Sequence, residues 1–400
     1  MITTAVSLFA PFGNDPLETY RTADPVGLTV VQSETFKAPA TEVPTSNMSS
    51  QPAPRAVVAD DSHFMRSVIS DILEDGGIEV VTTARDGREA VEAVFETEPD
   101  VVTMDVEMPE MNGIEAVEEI MAERPTPVLM LSAHTDENAD VTFEALEKGA
   151  VDFFTKPGGE VSMEMSRLKD QLVDMVRSVA EVDVTGENGA RQSSHSEPTV
   201  TPGSVVENAT LVIGSSTGGP TVVERILSEL PAAADLRILV VQHMPTDFTG
   251  RFATRLNKRS EYAVREAGDG DRIGGGEALV AAGGRHLEVS NYRSGRLRVS
   301  LTEDDPVNSV RPSVDVTMES AAAVVDDPLV GVILTGMGTD GAAGIQAIKA
   351  AGGTTLAQDE ASSAVYGMPK RAVETGAVDA VCRLEDLPDR ILDAINAEVH

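Results

Sequence analysis

The chain has 400 residues, of which 41% are apolar, 4% aromatic and none tryptophan, with a formal net charge of −35 and a pI near 4.4. That length fits two aliphatic-cored domains with tails rather than one domain, and the charge repels nucleic acid and anionic membranes. The single cysteine, Cys382, excludes an internal disulfide and a cysteine-rich metal site, and no segment approaches the roughly 18 apolar residues of a membrane span.

Residues 1–54 lack sustained periodicity, and 37–54 are rich in Pro, Ser, Thr and Ala, so an extension is expected to be disordered. From Arg55 a regular alternation begins. Ala56–Ala59, Ile78–Thr83, Val101–Met104, Pro127–Leu131 and Val151–Phe154 read as strands, each followed by a helical pattern, the last being Glu160–Val182. Five such units over 55–182 predict a five-stranded, doubly wound parallel sheet. Polar residues follow four of the five strands: Asp60 and Asp61, Asp105, Ser132, and Lys156. Open α/β sheets place their sites at these carboxyl ends. Three carboxylates converging there repel one another unless a cation sits among them, and hard oxygen ligands suit Mg²⁺. Asp105 then lies beside the metal as a nucleophile for phosphoryl transfer. Lys156 can neutralise phosphoryl oxygens and Ser132 can hydrogen-bond them.

Asp60-Asp61-Ser62, the run Met104 to Pro109 with Asn112-Gly113, Leu131-Ser132-Ala133 and Phe153 to Pro157 together resemble the flavodoxin-like receiver domain of two-component response regulators. The resemblance implies phosphorylation of Asp105 by a histidine kinase. It implies Mg²⁺ held by Asp61, Asp105 and the carbonyl of Glu107, with Asp60 assisting. It also implies phosphoryl sensing by Ser132 and Lys156, with Phe153 at the aromatic switch position.

Residues 183–207 carry Gly, Ser, Pro, Thr and Glu without apolar rhythm and read as a linker. A second α/β domain is expected over 208–400, its regular rhythm broken at 262–302 by short strands and glycine turns that suggest an antiparallel insert. The apolar run Thr210–Ile213 leads into Gly214-Ser215-Ser216-Thr217-Gly218-Gly219, and a helical segment, Thr221–Leu230, follows. Strand, glycine turn and helix with a serine at the apex form a G-x-S-x-G signature with Ser216 as nucleophile. A plain Ser/Gly turn is the alternative, as is a cradle for a nucleotide phosphate in a binding module without turnover.

A serine nucleophile needs a base and a group to orient it. His243 follows the strand Arg237–Val241, at the same sheet edge as Ser216, whereas His286 lies in the irregular insert. The acid is expected at another strand end. Leu329–Leu334 runs into Thr335-Gly336-Met337-Gly338-Thr339-Asp340-Gly341, where Asp340 opens a helix and either caps it or orients a base, or does both. The amide of Met337 is placed to face an oxyanion. The order Ser216, His243, Asp340 departs from the Ser, Asp, His order of α/β-hydrolases, a fold that His286 could revive.

Ile213 to Pro220, Gln242 to Pro245, Gly283 to Leu287, Leu334 to Ala342 and Tyr366 to Pro369 resemble the Rossmann-like catalytic domain of the chemotaxis protein-glutamate methylesterases, the CheB family. The departures are the extension at the front and Ser215 before the nucleophile. The resemblance implies hydrolysis of glutamate methyl esters on chemoreceptors with release of methanol. It also implies deamidation of receptor glutamines, and no metal in this half. A receiver tethered by 183–207 is held near the esterase and can cover its cleft until Asp105 is phosphorylated. No secretory signal opens the chain, so a cytoplasmic setting is expected. Only seven of the 31 basic residues are lysine and acidic residues are spread along the whole length, a surface suited to high salt.

Overall fold

The computed structural model describes residues 52–132, 136–156, 163–184 and 208–396. The expected extension falls almost wholly outside the described residues, as does most of the expected linker.

The first sheet is built from β1 (Arg55–Ala59), β2 (Glu79–Ala84), β3 (Val101–Asp105), β4 (Val128–Ser132) and β5 (Asp152–Thr155). Its order is β2-β1-β3-β4-β5 and every pairing is parallel. β3 and β4 are buried at every position, which is why they read as continuous apolar runs and lie inside the sheet. The helices are α1 (His63–Asp75), α2 (Gly87–Thr97), α3 (Gly113–Glu123), α4 (Asp136–Glu147) and α5 (Met163–Ala180). Ser62 caps α1, and Asn112 with Glu115 forms a capping box on α3. These caps fix where each chain turns off its strand end.

The second sheet has seven parallel strands in the order β15-β14-β13-β6-β7-β10-β8. They are β6 (Thr210–Ser215), β7 (Arg237–Gln242), β8 (Ala263–Glu266), β10 (Glu277–Val280), β13 (Leu329–Ile333), β14 (Thr354–Gln358) and β15 (Ala380–Cys382). An antiparallel sheet is present, made of β9 (Arg272–Ile273), β11 (His286–Arg293) and β12 (Arg296–Thr302). It takes only part of the expected insert, because β8 and β10 from the same span extend the parallel sheet instead. Around the sheets pack α6 (Gly219–Glu229), α7 (Thr246–Arg259), α8 (Val314–Val324), α9 (Ala342–Ala350), α10 (Met368–Glu374) and α11 (Leu387–Asn396). No helix among the described residues is long and apolar enough to cross a membrane.

The two sheets share one apolar cluster, and four of the ten phenylalanines join them. Phe153 of β5 stacks on Phe248 of α7 with centroids 4.4 Å apart, and Phe143 of α4 stacks on Phe252 at 5.8 Å. Around this apolar patch Arg255 and Arg259 of α7 pair with Glu147, and Arg251 lies 3.1 Å from Asp140.

Candidate functional site

At the carboxyl end of the first sheet, oxygen atoms of Asp60, Asp61 and Asp105 all lie within 4.8 Å of one another. Lys156 reaches across from the end of β5, its Nζ 2.7 Å from Asp60 and 2.6 Å from Asp105. One ammonium against three carboxylates leaves the cluster anionic. Burial pushes the Asp105 carboxyl up to about 6, reinforced by its acidic neighbours and opposed by Lys156. Burial works against the Lys156 charge, yet Asp105 and Asp60 outweigh it and hold the ammonium above its ordinary range. Three hard oxygen donors with residual negative charge fit a small divalent cation such as Mg²⁺. Ser132, buried at the end of β4, accepts a hydrogen bond from the Thr142 hydroxyl at 3.0 Å. Thr142 precedes Phe143, so a residue expected to sense a phosphoryl group touches the helix that carries an inter-sheet aromatic contact.

At the carboxyl end of the second sheet, Ser216 leaves β6 and α6 begins at Gly219, two residues earlier than the apolar pattern indicated. The turn is this tight because Gly218 adopts φ +72°, a conformation most side chains resist. Gly336 of the neighbouring loop is the other necessary glycine, since a Cβ there would stand 2.7 Å from that of Ser216. Gln242, buried at the end of β7, accepts from the Ser215 hydroxyl at 2.6 Å and donates to the carbonyls of Ser216 and His243. It ties the strand end carrying the nucleophile to the one carrying the base.

His243 and Asp340, 97 residues apart in sequence, meet here, with Nε2 2.8 Å from Oδ2. Nδ1 is therefore the ring nitrogen left to face a serine. Asp340 does not cap its own helix, whose N-cap is Gly341. It serves the start of α8 instead, beside the N-cap Ser313, taking the Val314 amide at 2.6 Å and the Ser313 hydroxyl at 2.7 Å. Burial disfavours its charge, but His243, Ser313 and Val314 outweigh burial and bring its pKa down to about 2. Neither the Ser216 hydroxyl nor the Met337 amide has a hydrogen-bond partner among the described residues.

His286 is not brought to this cluster as a base. It is 1% exposed, with Nδ1 accepting from the Ser313 amide and Nε2 facing the Asp305 carbonyl, so both ring nitrogens are occupied. It supports the residue that supports Asp340.

The receiver-like half reaches the serine turn directly. Asp152, the first residue of β5, is buried and accepts the amides of Phe153 at 2.8 Å and Gly218 at 3.2 Å. Burial pushes its carboxyl up to about 7 despite these donors. Ser178 of α5 lies with its hydroxyl 3.2 Å from the Met337 sulfur.

Family models match most of the chain. One described as CheB methylesterase covers residues 211–391, and one described as response regulator receiver domain covers 56–166. Among curated proteins, the chain is 69% identical to the protein-glutamate methylesterase/protein-glutamine glutaminase of Haloarcula marismortui, over 86% of this chain and 98% of the relative. It is 62% identical to the protein of the same name from Natronomonas pharaonis, over 86% and 98%. The one from Pyrococcus horikoshii is 44% identical over 85% and 93%.

Proposed function

The chain belongs to the CheB methylesterase family, and from that premise we propose that it is a phosphorylation-activated protein-glutamate methylesterase and protein-glutamine glutaminase acting on chemoreceptors. The observation that carries the catalytic half is the His243–Asp340 contact at the same sheet edge as the Ser216 turn.

His243, neutral, takes the Ser216 proton at Nδ1 as Oγ attacks the γ-carbonyl of a methylated glutamate. Asp340 at Nε2 fixes the tautomer and stabilises the imidazolium. The Met337 amide donates to the tetrahedral oxyanion. The imidazolium then protonates the departing methoxide, which leaves as methanol, and an acyl-serine ester remains. A water that loses its proton to His243 attacks this ester, returning the serine hydroxyl and leaving a glutamate carboxylate. With a receptor glutamine the same steps release ammonia. A nucleotide-cradle role for the glycine turn would leave His243 and Asp340 unused.

In the receiver half, Asp105 accepts a phosphoryl group from a chemotaxis histidine kinase, with Lys156 and Ser132 contacting its oxygens. Asp60, Asp61, Asp105 and the Glu107 carbonyl would hold Mg²⁺, which neutralises phosphoryl charge when bound. A Ser132 hydroxyl drawn toward the phosphoryl group lets go of Thr142. That loosens α4 and, through Phe143, the packing on α7. The closed arrangement covers the Ser216 turn with Asp152 and Met337 with Ser178, and phosphorylation shifts the population toward an open one. Domain limits of 55–182 for the receiver, 183–207 for the linker and 208–400 for the esterase, with 1–54 as a disordered extension, belong to this reading. So does a cytoplasmic, high-salt setting.

Methanol release from methylated receptor membranes, in high salt with Mg²⁺ and a small-molecule phosphodonor, tests the proposal. Ser216→Ala abolishes release and Asp105→Ala loses the response to phosphodonor. Undiminished release by Ser216→Ala refutes the nucleophile assignment.

A further inference from the structure

Asp340 is held by more donors than its contact with His243 requires. Its Oδ2 takes the Val314 amide at 2.6 Å and His243 at 2.8 Å. Its Oδ1 takes the Ser313 hydroxyl at 2.7 Å, the Asn308 side-chain amide at 3.0 Å and the Asp315 amide at 3.3 Å. A second buried carboxylate, that of Asp315, stands beside it and accepts the Gly344 amide at 2.7 Å. Asn308 also donates to Asp315, at 2.7 Å. An amide carries two N–H bonds, and here one serves each carboxylate.

The backbone that presents Asn308 is strained. Asn308 and Ser309 have φ of 52° and 67°, and the Val310 amide closes onto the Val307 carbonyl at 3.0 Å. Two consecutive left-handed residues at the centre of a tight turn are costly without glycine, and asparagine tolerates the position better than most. Strain of this kind persists where the surroundings impose it, most often at functional sites. The turn itself is exposed, so packing of its own apolar groups does not hold it.

We infer that Asn308 is a positioning residue of the hydrolysis: its side-chain amide bridges Asp340 and Asp315, keeps the two carboxylates side by side and thereby fixes the Asp340–His243 contact. The inference rests on the proposed triad. Without the bridge the two carboxylates repel at short range, and Asp340 turns away from the geometry that His243 needs. Among described contacts, the charged groups facing Asp340 are His243 and Asp315, and the one facing His243 is Asp340. A carboxylate turned away from the imidazole stabilises its protonated form less.

The test compares full-length wild type, Asn308→Gly, Asn308→Asp and Asp340→Ala, each with Mg²⁺ and phosphodonor, on methylated receptor membranes across pH. Glycine relaxes the turn and removes only the amide, while aspartate keeps the turn and replaces two donors with a third charge. Thermal melts establish that each variant is folded. For Asn308→Gly the expected result is kcat down roughly tenfold, as for a lost hydrogen bond to a charged group, with the acidic limb of the rate–pH profile moved to lower pH. Asn308→Asp shows a larger loss in the same direction. An inactive Asp340→Ala beside an Asn308→Gly with wild-type kcat and pH profile overturns the bridge alone. Full activity in Asp340→Ala overturns the triad, and the bridge with it.

Discussion

Both halves of this chain gather carboxylates at the carboxyl ends of parallel strands, and they treat them in opposite ways. Asp105 sits among Asp60 and Asp61 with Lys156 as its cation, and burial lifts its pKa to about 6. Asp340 is also buried, yet a histidine, a serine and a backbone amide of α8 bring it down to about 2. The topology delivers an acid to a strand end in each case, and the donors around it decide the chemistry. On the proposed reading, a carboxylate left anionic and poorly satisfied would take a metal and a phosphoryl group. A carboxylate with every lone pair engaged is a fixed counter-charge for an imidazole.

The sharpest way to break this comparison is to remove the fixed charge. Asp340→Asn should lower kcat by roughly 10³–10⁴-fold, as the loss of a triad carboxylate does, while aspartyl-phosphate formation at Asp105 stays at the wild-type level. A loss of tenfold or less would make Asp340 a helix cap and nothing more. Because its pKa is lowered on folding, Asp340 contributes stability that is complete above the ordinary carboxylate range. That stability is lost as pH falls toward about 2, and acid melts of Asp340→Asn should lack this part of the transition.

A second effect concerns the contact between the halves. Asp152, buried against the Gly218 amide, has its pKa raised to about 7, and in the proposed open arrangement it would regain an ordinary value. The closed form therefore binds the extra proton, is favoured at low pH, and loses that advantage as pH rises through about 7. The stimulation by phosphodonor should shrink with rising pH, by at most about tenfold per pH unit for one linked proton. Asp152→Asn should flatten that dependence. An unaltered pH dependence in the variant would remove Asp152 from the closing contact.

Salt sharpens the comparison at the level of the whole chain. With 66 acidic against 31 basic residues, desalting lengthens the range of repulsion, and circular dichroism should show lost structure at low ionic strength. Unchanged spectra would discard the high-salt reading. The smallest expected effect is at the rim of the interface. Arg255→Ala removes pairs to Glu147 and Glu224 and should raise unphosphorylated activity only a few-fold, since part-exposed ion pairs contribute little.

Much of this was legible in the residues. Strand ends are marked by apolar runs that stop at or just before Asp105, Ser132, Ser216 and His243, with Asp340 in the loop after the run Leu329–Leu334, and a parallel sheet brings such ends together. The supporting residues were not legible, for specific reasons. Asn308 reaches the site through a turn of two left-handed residues that no local pattern announces. Gln242 donates to and Asp315 accepts from partners distant in sequence, Ser216 and Gly344, and neither lies in a repeating pattern. Of the two roles open to Asp340, capping the helix it opens is not the one seen: its carboxylate accepts from the first turn of α8, a choice made by tertiary packing. Asp152 is a lone acid at the head of an apolar strand, which alone was a signal of a buried partner. The split of the insert between two sheets was set by β10 pairing onto β7 and β8 onto β10, a long-range choice that short strands do not encode.

The most direct test of the account measures methanol release from methylated receptor membranes against the measured fraction of aspartyl-phosphate on Asp105 in the same samples, with Asp105→Ala as baseline. The rate is expected to climb in proportion to phosphoryl occupancy from a low unphosphorylated level. A rate independent of occupancy would contradict the account.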